Sequence, residues 1–427
     1  MGRAIDPKDS SLYSFTASAE RRLLWLLAFT QFTVIMDFMV MMPLGPQIMH
    51  AFDISPAAFA TAVSAYSWCA GISGLLASTY VDRFDRRSLL LTMFALFSVS
   101  NLVCALAGNF EVLLLARAFA GLTGGVMTSL IMAIVSDVIP PQRRGAATGI
   151  VMSAFSLASV IGVPIGIALG AHWGWSTPFF LLFGLTLVIG LVARWLVPPL
   201  TAHMSGALRP FSRALPDLLK LIADPGYRPA FMLSFSLMIA HMMVIAFISP
   251  FLVANHGVAP ASIAWMYCIG GIAPFFTSRL IGRLADRYGH RRVFRLMLIV
   301  SLAPVLFLTH LPPIPYGAVV MFFPFFMVAM TGRMVPFQAL LTTVPRPQVR
   351  GAFLSVNSSF QSLGSGCGAW LGGMILSTAA DGSISGYGTV GWVATALAVA
   401  VGIGSARVVP WSSCAPRPTQ STPTDAV

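Results

Sequence analysis

Gly282-Arg283-Leu284-Ala285-Asp286-Arg287-Tyr288-Gly289-His290-Arg291-Arg292 carries the plan of the whole chain, because a version of it occurs twice. It places an acid, an Arg, an aromatic residue, a turn-forming Gly and a cluster of cations in one short connection after an apolar segment. About 204 positions earlier, after another apolar segment, stands Val81-Asp82-Arg83-Phe84-Asp85-Arg86-Arg87. A second loop behaves alike. Pro140-Pro141-Gln142-Arg143-Arg144-Gly145-Ala146 returns about 205 positions later as Pro345-Arg346-Pro347-Gln348-Val349-Arg350-Gly351-Ala352. Unrelated loop motifs seldom share one offset by chance, so the chain reads as two parallel repeats. Small residues at every fourth position add a third correspondence, Gly162, Gly166 and Gly170 in one half and Gly364, Gly368 and Gly372 in the other. Such stripes let helix backbones approach closely, and Pro164 predicts a bend within the first of them.

Between the loops lie long apolar runs. The 427 residues are 57% hydrophobic and 9% charged, with a mean hydropathy of +0.82, whereas soluble domains carry about 25% charged residues. A bilayer span needs about 20 mostly apolar residues. The runs predict spans at 23–49, 57–80, 88–107, 112–138, 146–171 and 175–197, then at 230–253, 262–284, 293–311, 316–343, 352–377 and 391–409. The expected architecture is therefore an all-α membrane protein of twelve transmembrane helices in two pseudo-symmetric six-helix bundles. Residues 1–22 form a cytoplasmic tail, 23–197 and 228–409 the two bundles, 198–227 a cytoplasmic linker with an amphipathic patch at 215–222, and 410–427 a disordered tail rich in Pro, Ser and Thr. Residues 1–20 lack a short apolar core with a cleavage site, so the first span is expected to remain as an anchor.

A net charge of +12 suggests either a nucleic-acid partner or a topological signal. Position favours topology. With the N-terminus in the cytoplasm, Lys and Arg other than Arg117 and Arg333 fall in the tails, the central connection from Arg194 to Arg228 and the connections carrying Arg83 to Arg87, Arg143 and Arg144, Arg279 to Arg295, and Arg346 and Arg350, while the opposite connections hold none. This is the positive-inside pattern of a multi-pass protein of the inner cell membrane with both termini cytoplasmic, and it argues against nucleic-acid binding. The five cysteines show no metal-ligand spacing, and no phosphate-cradling loop or nucleophile constellation is present. No enzyme activity, metal or cofactor is expected. The expected partners are a small-molecule substrate, H⁺ and the lipid bilayer, and the chain is expected to be monomeric.

The motif at 282–292, in a twelve-helix context, resembles the cytoplasmic loop signature of the major facilitator superfamily, and the likeness covers nearly the whole chain. The first copy departs from it, with Ser78 and Asp85 where Gly is usual; Asp tolerates the left-handed turn better than most residues. The resemblance implies that Asp82 approaches the N-terminal end of the eleventh helix in the outward-facing state. It also implies that Arg83 and Arg86 pair with Asp137 as a latch closing the cytoplasmic side, with Asp286 and Arg287 as the second-half counterparts. Arg117, followed by Gly121 and Gly124-Gly125, resembles the fourth-helix signature of proton-linked members. Gly162-Val163-Pro164-Ile165-Gly166 resembles a degenerate fifth-helix antiporter signature, with Val163 in place of the usual Gly. The runs at 37–46 and 332–336 are similar to the drug and sugar efflux branch, which implies export.

Charges inside the spans point to chemistry. Asp37 lies about 15 residues, hence about 22 Å, beyond Arg22 along the first helix, and an acid at such depth needs a cation, a water-filled cavity or a proton. It is the leading proton-coupling candidate, with His241 second. Its bland alternative is a permanent ion pair with Arg117. Gln31, Tyr66, Arg117, Arg333, Gln338, Asn357 and Gln361 are the candidate cavity residues, and Met36, Phe38, Met39 and Phe337 suggest an adaptable apolar lining. With the export that the resemblance implies, these features predict proton-coupled efflux of small organic molecules by alternating access. Uptake with H⁺ and a sensor without turnover are the alternatives.

Overall fold

The computed structural model describes residues 16–140, 143–201, 204, 211–346 and 349–409, without the side chains of Ser78, Ser156 and 211–214. The expectations for 1–15 and 410–427, for Pro141, Gln142, Pro347 and Gln348, and for most of 202–210 lie outside the described residues.

The first repeat comprises α1 (Ala17–Val40), α2 (Gly45–Phe52), α3 (Pro56–Tyr80), α4 (Arg86–Ala105), α5 (Phe110–Val138), α6 (Arg144–Leu157), α7 (Val163–Trp173) and α8 (Thr177–Leu196). The linker contributes α9 (Phe211–Ala223). The second repeat comprises α10 (Arg228–Ile245), α11 (Ile248–His256), α12 (Pro260–Tyr288), α13 (His290–Thr309), α14 (Tyr316–Thr343), α15 (Arg350–Ile375) and α16 (Tyr387–Gly404). Caps start the helices where orphan N–H groups need acceptors. The Ser55 and Asn109 side chains accept from Ala58 N and Val112 N at 3.2 and 2.9 Å.

Three expected spans are not single α-helices. The first breaks between Val40 and Gly45, and the seventh between Ile245 and Ile248. Pro43 and Pro46 in one, and Pro250 in the other, deprive the ladder of N–H donors. The breaks lie about 205 positions apart, the offset of the loops. In the fifth span a π-helical turn at Ala158–Gly162 separates α6 from α7 just ahead of Pro164.

Among the described residues, eleven segments are long and apolar enough to cross a bilayer, counting α6 with α7 and α10 with α11. The twelfth is α15, whose Ser, Gly, Asn and Gln residues lower its hydropathy. It packs against α3 and α10, so protein rather than lipid surrounds much of it.

The Gly stripes act inside each half. A Cβ at Gly166 or Gly170 would collide with Val40 or Leu44 of the first span, and one at Gly364 or Gly368 with the main chain of Phe235 or Ile239. The fifth span is thereby seated on the first, and the eleventh on the seventh.

Candidate transport site

Asp37 stands near the end of α1 and Arg117 two turns into α5, and the fold brings them together. Arg117 Nη1 donates to Asp37 Oδ1 at 2.7 Å, and Nη2 to the Asp37 main-chain oxygen at 3.3 Å. The Tyr66 ring lies 4.4 Å from the guanidinium carbon, and its hydroxyl donates to the Val34 carbonyl at 3.3 Å. Phe38 stacks on Tyr66 at 5.5 Å, and Phe179 lies 5.8 Å from the guanidinium. Asp37 and Arg117 are fully buried, yet Asp37 Oδ2 and Arg117 Nε have no hydrogen-bond partner. A buried pair is stabilising only when its remaining polar atoms are also satisfied. This one is half-satisfied.

The second half holds a different arrangement. Arg333 Nη1 donates to Ser301 Oγ, and Nη2 to His241 Nδ1, both at 3.3 Å. A nitrogen that accepts from a guanidinium carries no proton, so the imidazole is neutral in this geometry. Among the described residues no carboxylate forms a salt bridge with Arg333.

Arg117 is enclosed by α1, α3 and α8 of the first half, and Arg333 by α10, α13 and α16 of the second, where Ser301 and His241 accept from its two terminal nitrogens while its buried Nε has no partner among the described residues. Gln31 and Tyr66 are also buried, Asn357 Oδ1 accepts from Ser234 at 2.6 Å, and Phe337 packs on Phe294 at 5.0 Å. Of the polar cavity candidates, Gln338 remains exposed and donates to the half-buried Gln361 at 3.1 Å.

Among the described residues, the two halves meet through three side-chain hydrogen bonds. Ser64 Oγ donates to the Gly366 carbonyl at 2.8 Å, Trp68 Nε1 to Cys367 Sγ at 3.4 Å, and Ser249 Oγ to the Pro43 carbonyl at 2.8 Å. Gly366 and Gly373 admit Trp68 and Ala60 to α15. Their seven-residue spacing, on a face separate from Gly364, Gly368 and Gly372, is the signal that marks them. Close packing between the halves concentrates at the end carrying α2 and α11. There Ser249 meets Pro43, and Gly373 admits Ala60, across the two halves.

The family model described as Major Facilitator Superfamily matches this chain twice, over residues 27–225 and 230–425. The chain belongs to the Major Facilitator Superfamily. A Helicobacter pylori (strain G27) protein named "Probable sugar efflux transporter" is 26% identical over 352 residues, spanning 82% of this chain and 85% of that protein. The crystal structure of a D-xylose–proton symporter superposes with a TM-score of 0.73 at 17% identity, covering 92% of this chain and 98% of the symporter. A bacterial homologue of the human lysosomal transporter Spinster, in an inward-facing occupied conformation, gives 0.72 at 17% identity, covering 92% and 97%. These structural likenesses concern the fold. Major Facilitator Superfamily membership makes this chain a multi-pass secondary transporter.

In this superfamily member the loop after α3 is a network within the first half. Arg86, 3% exposed, donates from Nε to Asp137 at 2.9 Å, from Nη2 to Asp82 at 2.6 Å and from Nη1 to the Val81 carbonyl at 2.8 Å. Asp82 is 73% exposed and bonds within its own loop, while Arg83 closes the short 3₁₀ turn. Asp85 corrects an expectation. Its φ is −55°, and its carboxylate caps α4 by accepting from Ser88 N, Ser88 Oγ and Arg87 N, besides tying down Leu200 N at 2.8 Å. Gly289 in the second copy does adopt a left-handed φ of +94°. Partial burial pushes the Asp85 pKa up, but the bonds from Ser88, Leu200 and Arg87 outweigh it and hold the carboxyl below its usual range. Asp286 and Arg287 are exposed, and the Arg287 guanidinium lies 5.4 Å from the Tyr288 ring. The position matching Arg86 is His290, so the second half does not repeat the network.

Proposed function

We propose that this chain exports small organic molecules in exchange for H⁺, with Asp37 as the proton carrier and Arg117 as its switchable partner. The observation that carries this reading is the half-satisfied Asp37–Arg117 pair, both of whose partners are fully buried. When access changes sides, a proton on Asp37 replaces Arg117 as the neutralising charge; when Arg117 returns, the proton leaves. The Arg-rich end faces the cytoplasm in this reading, as the positive-inside pattern indicates, and is the end that opens. The paired, dehydrated carboxylate then corresponds to the state reached after H⁺ release. Export is supported by the name of the Helicobacter relative. The mobile units are 23–197 and 228–409, rocking about the seam and joined by 198–227, in a monomer of the inner membrane driven by the proton gradient without a cofactor, metal or nucleic-acid partner. Gln338 and Gln361 offer amide groups to a substrate entering from the open end. Arg83, Arg86, Asp82 and Asp137, with Asp286 and Arg287 opposite, form the latch when that end closes. His241 carries no proton while Arg333 donates to it.

A panel of sugars and amphipathic drugs, screened by thermal shift of the purified protein, identifies compounds for flux assays in everted vesicles with an imposed pH gradient. Asp37→Asn is expected to keep the thermal shift and abolish gradient-dependent movement. Full gradient dependence in that variant removes Asp37 from the coupling role.

A further inference from the structure

We infer that the groove between α10 and α16 at the Arg-rich end is a binding site for one anionic phospholipid, with an acyl chain in the groove and the headgroup phosphate on Arg228 and Arg407. The groove has a volume of about 130 Å³ and is lined by Met232, Leu233, Ser236, Leu397, Ala400 and Val401. Met232 is 43% exposed and Ala400 is exposed, so the groove opens sideways from the helix bundle, where acyl chains lie.

Its rim is cationic. Arg228 is the first residue of α10, and Arg407 ends the turn Ser405–Arg407, which packs against α10. Both are exposed, and neither forms a salt bridge among the described residues. The nearby Asp224 carboxylate is engaged by Gly226 N–H at 2.8 Å. Arg295 adds a third cation at this level, donating to Ser405 Oγ at 2.8 Å and the Gly402 carbonyl at 3.2 Å.

The depths agree from both helices. At 1.5 Å per residue, Met232 and Ser236 lie about 6 and 12 Å beyond Arg228, and Val401 and Leu397 about 9 and 15 Å beyond Arg407. An apolar slot that far beneath two exposed Arg residues fits a phosphate at the interface joined to a chain in the hydrocarbon. Basic pockets between transmembrane helices on the cytoplasmic side select anionic headgroups for this reason. The inference uses the cytoplasmic placement of the Arg-rich end but not the transport reading.

Native mass spectrometry of the full chain in detergent tests it, with phosphatidylglycerol, phosphatidylethanolamine or inorganic phosphate added. The expected result is retention of one phosphatidylglycerol several-fold above phosphatidylethanolamine, and no phosphate adduct. Arg228→Gln with Arg407→Gln should reduce that adduct several-fold, and Ala400→Phe should do the same by filling the groove. Lipid-free melting temperatures within a few degrees of the parent show that the variants are folded. Equal retention of the two lipids, binding of phosphate alone, or an undiminished adduct in either variant overturns the site.

Discussion

The Ser249 hydroxyl on α11 donates to the Pro43 carbonyl between α1 and α2 at 2.8 Å, joining the broken ends of the first and seventh spans across the two halves. Ser64 makes the equivalent crossing to Gly366. Both acceptors are main-chain carbonyls, and the Pro43 carbonyl lies in the helix break, where the regular ladder is interrupted.

Each of these bonds is worth about 1 kcal/mol, close to fivefold in a population. Ser249→Ala and Ser64→Ala are therefore expected to raise the fraction of molecules open at that end by about fivefold each. Spin labels at His50→Cys and His256→Cys, at the tips of α2 and α11, read the separation. An unchanged distance distribution would show that these bonds do not hold the closed end.

Substitutions at glycine should divide by location. Gly368→Leu places a side chain against the Ile239 main chain, where α15 is seated on α10, and is expected to abolish monodisperse protein in size-exclusion chromatography. Gly149→Ala meets open space in α6 and removes the flexibility of a mid-helix Gly, so it should stabilise by about 0.5–1 kcal/mol in thermal melts.

Asp85 sets an acid-sensitive contribution. Its carboxyl is held below the usual range in the folded chain, so its stabilisation is complete above the unfolded carboxylate pKa of about 3.9 and is lost as pH falls through the lower folded value. Asn caps a helix almost as well but does not titrate. The difference in melting temperature between the parent and Asp85→Asn should be constant above about pH 5 and shrink as the pH is taken below 4. A constant difference down to the acid limit would assign the cap no electrostatic part.

Much was legible in the residues because lipid imposes strict local rules. A span must be long and apolar, its backbone must bond internally, and cations gather on one side; those constraints are written position by position, so the repeat, the helix count and the family could be read without coordinates. Asp37 and Arg117 were recognisable as costly for the same reason. Which atoms they meet was a different matter. The pairing of Oδ1 with Nη1, the contact of Arg333 with a neutral His241 and the Ser64, Ser249 and Gly366 contacts join residues 80 to 302 positions apart. Such contacts depend on how helices rotate and cross. Periodicity shows that a helix has a polar or small-residue face, but packing of the neighbours settles which helix that face meets and at which end the two halves come together.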